Sequence, residues 1–243
     1  MVEGYVEITM DIVASACNAK KVGVPNPAEV HTVYRKKDGI RVPSVTTYLG
    51  VLGKPALIHW AWELGVQGLD YRKVRDQAGG TGTLVHYLIL CQLKGQEPDL
   101  SYYAPQDLAS AASPMNKFNE WLKGKTLEPI LLETPLVSEL YGFGGTPDYY
   151  GKVDGIFALL DFKTGKEVYQ EAFYQVAAYA NLLIEHNHPI QMVKIIRIGK
   201  SEDEGFEERA TGNLENHWKV FLACQQIYEL QKLIRKGRKK ETD

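Results

Sequence analysis

Three residues in one short stretch have the types and spacing to do chemistry together. From Gly145 to Gly165 the chain reads GTPDYYGKVDGIFALLDFKTG, with Asp148, Asp161 and Lys163 set around the pair Asp154-Gly155. That pair is a strong signal for a tight hairpin turn between two β-rich runs. With Asp154 and Gly155 as the central turn residues, Val153 faces Ile156, and counting back puts Asp148 directly opposite Asp161. Opposed residues have Cβ atoms about 4.5–5.5 Å apart, where two like charges repel by roughly 3 kcal/mol at an effective dielectric near 20. A four-residue loop would shift the register by two and still keep both carboxylates on one face, because side chains alternate with period two; a three-residue loop would separate them. Lys163, two residues beyond Asp161, shares its face.

Two carboxylates held this close need a positive partner. A hard divalent cation such as magnesium takes oxygen ligands and keeps several waters, leaving positions for phosphate. An ion there could polarise a phosphoryl oxygen and acidify a water while Lys163 steadies the transition-state charge, which is the chemistry of phosphodiester hydrolysis. Spacing alone fits a surface salt-bridge network equally well. The strand weighs against that alternative: Ile156, Ala158, Leu160 and Phe162 on one face, with Phe157 and Leu159 on the other, describe a strand buried on both sides.

Pro147-Asp148, then Asp161-Phe162-Lys163 thirteen residues after the first Asp, then Gln175-x-x-x-Tyr179 on a helix, resemble in order and spacing the core pattern of the PD-(D/E)XK nuclease superfamily, in its RecB-like exonuclease branch. Upstream, Pro43-Ser44-Val45-Thr46 and Gly82-Thr83-x-x-His86 are similar to the mitochondrial genome-maintenance and phage exonucleases of that branch, so the resemblance covers roughly residues 43 to 230. It implies a metal-dependent DNA exonuclease acting on single strands or ends, with magnesium or manganese as cofactor. The catalytic residues it implies are Asp148, Asp161 and Lys163. The metal would be held by His86, Asp148, Asp161 and the main-chain carbonyl of Phe162, with Gln175, Tyr179 and Ser44 on the substrate side. Replication, recombination or repair proteins are the partners such a nuclease would have. A structure-specific endonuclease on the same site and a non-catalytic DNA-binding recombination subunit are the alternatives.

Several of these residues have plainer readings. His86 taken alone is more often a solvated or helix-capping histidine, and Gln175 and Tyr179 fit an ordinary helix flank. Ser44 and Thr46 could contact a phosphate or cap a helix, the commoner use of such residues. Glu133 and Glu139, on the way into the first Asp, read as a further cation contact or as solvated carboxylates, and the residues do not choose between them.

The surrounding elements must bring these groups together. A hairpin is expected over Val30–Ser44 around Asp38-Gly39, then short helices over Ser44–Leu52 and Pro55–Leu64, the second with an apolar stripe of Leu57, Trp60, Ala61 and Leu64. A helix from Thr81 or Thr83 to Leu93, stopped by Gly95, would carry His86 in its first turns and turn Leu84, Val85, Leu88 and Ile89 inward. Gln106–Lys123 reads as helix, Ile130–Leu140 as extended, and Glu171–His186 as a helix whose stripe is Ala172, Val176, Ala177, Ala180, Leu183 and Ile184. Gln191–Ile198 is a strand, Ser201–Glu204 an acidic loop, and Asn213 caps a long final helix with Trp218, Phe221 and Leu222.

The fold class is therefore α/β, with the mixed, helix-flanked central sheet of the restriction-endonuclease-like fold and further helices at both ends. One nuclease domain is expected over residues 1–243: an N-terminal hairpin region (1–42), a helical part (43–127), the catalytic sheet and helix (128–212), and a C-terminal helix with a basic tail (213–243). A formal net charge of −2 gives no global attraction to nucleic acid, so DNA contact must come from local patches. The basic run Lys232–Lys240 is either such a patch or a solvated helix end. Cys17, Cys91 and Cys224 are far apart and odd in number, which suits buried thiols rather than disulfides, zinc or an iron–sulfur cluster. With no apolar run near the roughly 20 residues of a membrane span, and with Glu3, Glu7 and Asp11 where a leader would be basic, a cytoplasmic, membrane-free protein is expected.

Overall fold

A computed structural model describes residues 32–240 of the chain. Cys17, the acidic residues Glu3, Glu7 and Asp11, and the start of the expected first hairpin lie outside the described residues. The centre is a five-stranded mixed sheet in the order β3 (Leu127–Leu132), β6 (Tyr149–Val153), β7 (Ile156–Thr164), β8 (Met192–Ile198), β9 (Phe206–Thr211). Helices cover both faces, giving the mixed, helix-flanked α/β sheet expected from the sequence.

The β6–β7 turn is the one its dipeptide dictates. Val153 pairs with Ile156, and Asp154 and Gly155 take φ of 52° and 82°, the double left-handed geometry of a two-residue hairpin. Asp154 Oδ1 also accepts the Thr126 amide at 2.8 Å, tying the turn to the start of β3. Strand β8 runs parallel to β7, with Asp161 beside Ile195 and Lys163 beside Arg197. Such a pairing needs a crossover, which α5 (Gln170–Glu185) supplies.

Alternation along β7 sends its side chains into two separate cores. Ala158, Leu160 and Phe162 meet α3 (Tyr71–Lys94) and α4 (Pro105–Leu122) through Leu84, Val85, Leu88, Ile89 and Phe118. Leu159 faces the other core, made with α5, α1 (Val45–Leu49) and α6 (Glu215–Lys240). The remaining helix, α2, covers Pro55–Val66. Two short ribbons, β1 (Tyr34–Arg35) with β2 (Arg41–Val42) and β4 (Leu136–Ser138) with β5 (Phe143–Gly145), join through a bridge between Ser44 and Gly144.

Several expected boundaries moved. The third helix starts at Tyr71, about ten residues early, and runs through Gly79-Gly80. Asp70 caps it by accepting the Arg72 amide at 2.9 Å, whereas the hydroxyls of Thr81 and Thr83 donate back to the Gln77 and Gly79 carbonyls instead of capping. His86 therefore lies past the middle of that helix rather than in its first turns. The expected extended run 130–140 is broken by Glu133, whose φ of 43° separates β3 from β4. Strand β9 follows the acidic loop; Glu207, Glu208 and Arg209 hide the apolar alternation of a strand and suit an edge. On α2, Leu57 is 51% exposed, and on α5, Ile184 is 61% exposed, so both fall outside their expected buried stripes. Cys91 and Cys224 are buried free thiols. No helix among the described residues is long and apolar enough to cross a membrane.

Candidate active site

The ladder between β6 and β7 ends at Tyr149 opposite Leu160, one residue short of Asp148 and Asp161. Asp148 leaves the strand geometry there and continues the pairing with its side chain, Oδ2 accepting the Phe162 amide at 2.7 Å. Its carbonyl accepts the Glu133 amide at 3.2 Å, which fixes the bend between β3 and β4 against the site. Asp161 is fully buried on β7. Lys163 Nζ stands 2.7 Å from Asp161 Oδ2, yet off the directions of a well-formed hydrogen bond, and both carboxylate oxygens are left without a hydrogen-bond partner among the described residues. The Lys163 charge offsets part of the cost of burying this carboxylate, whose hydrogen-bond capacity remains unused.

The electrostatics follow from burial. Asp161 is raised to about 6, by burial first and against the lowering pull of Lys163, with Asp148 adding to the rise. Asp148 is also raised by burial, partly offset by Lys163 and the Phe162 amide. For Lys163, burial pushes down but the two aspartates outweigh it, so the ammonium stays above its ordinary value and remains a cation. His86 is lowered to about 4 by burial and by the Lys163 charge, and its ring donates to the Phe162 carbonyl. Its Nδ1 lies 3.8 Å from Asp148 Oδ2. A neutral imidazole makes no ion pair at neutral pH and has a lone pair to offer a metal.

The fold thus gathers His86, Asp148, Asp161, the Phe162 carbonyl and Lys163. It adds Glu133, one of the two acids between which the sequence did not choose. Ligand atoms of His86, Glu133 and Asp148 lie within 4.8 Å of one another, a trio that does not include Asp161. Glu133 is exposed as a residue, but its carboxyl end turns to the site and is raised by partial burial and by Asp148. Glu139 goes elsewhere, accepting the Lys37 amide at 2.8 Å. Carboxylate oxygens, an imidazole nitrogen and a carbonyl suit a divalent cation, and Asp161, ion-paired to Lys163 through Oδ2, keeps acceptor capacity that no hydrogen bond among the described residues uses.

Gln175 Nε2 donates to the Tyr179 hydroxyl at 2.8 Å. That hydroxyl is held well above its usual pKa by burial and by the charges of Asp161 and Asp148. Gly145 makes the approach possible: a Cβ there would stand 2.6 Å from Tyr179 Cε1. Ser44 acts as the N-cap of α1, its Oγ accepting the Thr47 amide at 3.0 Å. Tyr34, which no local pattern singles out, shares a hydrogen bond of 2.7 Å with Thr146 Oγ1, two residues before Asp148. A cleft of about 550 Å³ opens from the site along α3, lined among others by Thr83, His86, Tyr87, Lys94 and Glu133.

No family model and no curated protein match this chain. Among solved structures it is similar to a candidate exonuclease from Eubacterium rectale, at 13% identity and a TM-score of 0.43, over 63% of this chain and 66% of that one. It is also similar to an alkaline exonuclease from Laribacter hongkongensis, at 18% identity and a TM-score of 0.31 over 65% and 84% of the two chains. The same Laribacter enzyme in complex with dAMP gives 17% identity and a TM-score of 0.31 over 65% and 85%. The chain spans just under two thirds of the length of the first of these.

Proposed function

We propose that this protein is a divalent-metal-dependent deoxyribonuclease, a PD-(D/E)XK-type exonuclease that hydrolyses phosphodiester bonds at DNA ends or in single strands. The observation that carries the reading is the buried carboxylate of Asp161 and the half-buried one of Asp148, gathered beside a neutral His86 and a charged Lys163 that ion-pairs with Asp161. Asp148, Asp161, His86 and the Phe162 carbonyl would hold magnesium or manganese, with Glu133 at the mouth. The ion would supply Lewis acidity toward the phosphoryl oxygen and a more acidic water.

The chain's own groups account for the rest. Lys163 is a fixed cation in a low-dielectric setting, so it stabilises negative charge developing on the phosphoryl oxygens and does not act as a base. The Phe162 amide holds Asp148 in place, and Gln175 holds the Tyr179 hydroxyl by donating to it. His86 is neutral through the physiological range and loses no affinity to its own protonation there.

The test is a digestion panel of linear and circular, single- and double-stranded DNA labelled at either end, run with magnesium, manganese or chelator. Cleavage of linear DNA is expected with either ion and none with chelator. Asp148→Asn, Asp161→Asn and Lys163→Met should each lower the rate by about a thousandfold or more while remaining folded. Retained metal-dependent cleavage in all three variants would overturn the reading, and cutting of circular single strands would make the enzyme an endonuclease.

A further inference from the structure

Arg197 is a buried charge that the chemistry above does not use. It lies on β8 beside Lys163 in the parallel register, 6% exposed. A guanidinium so buried must have its donors satisfied. Nη1 donates to the carbonyls of Gly165, at 3.1 Å, and Glu204, at 2.7 Å, while Nε meets Glu207 Oε2 at 3.2 Å. Gly165 is two residues past Lys163, where β7 ends, and its amide reaches the Ile198 carbonyl at 3.3 Å.

Glu204 belongs to the loop between β8 and β9, and that loop is itself fastened to the helices. Lys200 Nζ donates to the Ala78 carbonyl on α3 at 2.7 Å, and Lys117 Nζ on α4 donates to the Gly199 carbonyl at 3.1 Å. A single nitrogen of Arg197 thus bridges the free end of the strand carrying Lys163 to a loop braced on two helices. The rigid guanidinium plane aims Nη1 at both carbonyls while Nε meets Glu207 along another edge, and the single ammonium of a lysine does not reproduce that three-way arrangement.

We propose that Arg197 is the positioning residue for Lys163: by clasping Gly165 to the braced loop it fixes the strand end from which the ammonium reaches Asp161. The kinetic part of this proposal rests on the nuclease reading of Lys163, and the amine-labelling part does not. The experiment compares wild type, Arg197→Lys and Glu207→Gln. Glu207→Gln removes the negative charge facing Nε but leaves both carbonyl bonds in place.

In chelated protein, acetylation of each lysine is followed by mass spectrometry, with Lys117 reporting general loosening. Lys163 should label several-fold faster in Arg197→Lys than in wild type, at an unchanged Lys117 rate, and at the wild-type rate in Glu207→Gln. With metal and linear DNA, kcat should fall about 10–100-fold in Arg197→Lys at an unchanged KM, the scale of a small misplacement, and stay within about threefold in Glu207→Gln. Unchanged Lys163 labelling in Arg197→Lys, equal acceleration at Lys117, or an equal effect of Glu207→Gln would each overturn the proposal. Absence of any cleavage by wild type would sink the nuclease reading and leave labelling to decide the clasp.

Discussion

Asp161 and His86 carry opposite linkages between pH and stability. The folded pKa of Asp161 is raised from 3.8 to about 6, so in the metal-free protein its contribution is fully present below pH 3.8 and is lost as pH rises through about 6. For His86, lowered from 6.5 to about 4, the contribution is present above 6.5 and is lost as pH falls toward 4. The two nearly cancel over one window, so the substitutions reveal what wild type conceals. Relative to wild type in chelator, Asp161→Asn should gain up to about 3 kcal/mol between pH 4 and pH 7, and His86→Gln should lose ground over the same rise. Denaturant midpoints at the two pH values measure both, and parallel pH profiles for all three proteins would refute the burial of these groups.

What was legible at this scale depended on local pattern. Asp161 and Lys163 could be placed on one face because the Asp154-Gly155 turn fixes the register and period two fixes the face, whereas Asp148 lies one residue past the end of the ladder and meets Phe162 through its side chain. Glu133 could not, because its direction depends on a left-handed φ at a bend that no periodicity encodes. Tyr34 and Arg197 were invisible for another reason: each acts through a residue far away in the chain, Thr146 in one case and Gly165 in the other.

The elements that position the site meet at close backbone approaches. Gly145, which ends β5, lies against the ring of Tyr179 on α5, where a methyl group would stand 2.6 Å from Cε1 and 2.9 Å from Leu182 Cδ1. Gly145→Ala must therefore push α5 outward or rotate the Tyr179 ring out of its buried position. A loss of about 1–3 kcal/mol is expected, with a fall in activity larger than the unfolded fraction explains. Thermal unfolding beside single-turnover rates checks this, and an alanine variant equal to wild type in both would show that α5 does not set the site. The helix that carries His86 shows why element ends resisted reading. Its two threonines resemble caps, but mid-helix hydroxyls can bond to the carbonyl four residues back, and Asp70 was free to cap ten residues earlier. Strand β9 went unread because an edge strand with charged faces has no apolar alternation to find.

At the scale of the molecule, one sheet separates two cores, and β7 belongs to both. Residues of alternate parity on this strand serve packing on one side and chemistry on the other. Phe162 packs edge-on against Phe118 at 5.6 Å between ring centroids, while its neighbours Asp161 and Lys163 face the site. Phe118→Ala, at a fully buried position, should cost about 3–5 kcal/mol, yet at low temperature leave the metal dependence of cleavage unchanged. Urea denaturation with parallel assays tests that division, and loss of metal dependence in a fully folded variant would show that the two sides are not separable. A net charge of −2 gives the whole molecule no global attraction for a polyanion.

The central claim is that Asp148 and Asp161 share one divalent ion. Its most direct test is anomalous diffraction from crystals soaked in manganese. A peak is expected about 2.1 Å from an oxygen of each aspartate, within reach of the His86 ring and the Phe162 carbonyl, and absent from crystals of Asp161→Asn. A well-diffracting soaked crystal with no peak there, or with manganese confined to the acidic loop at Glu202–Glu204, would contradict the account.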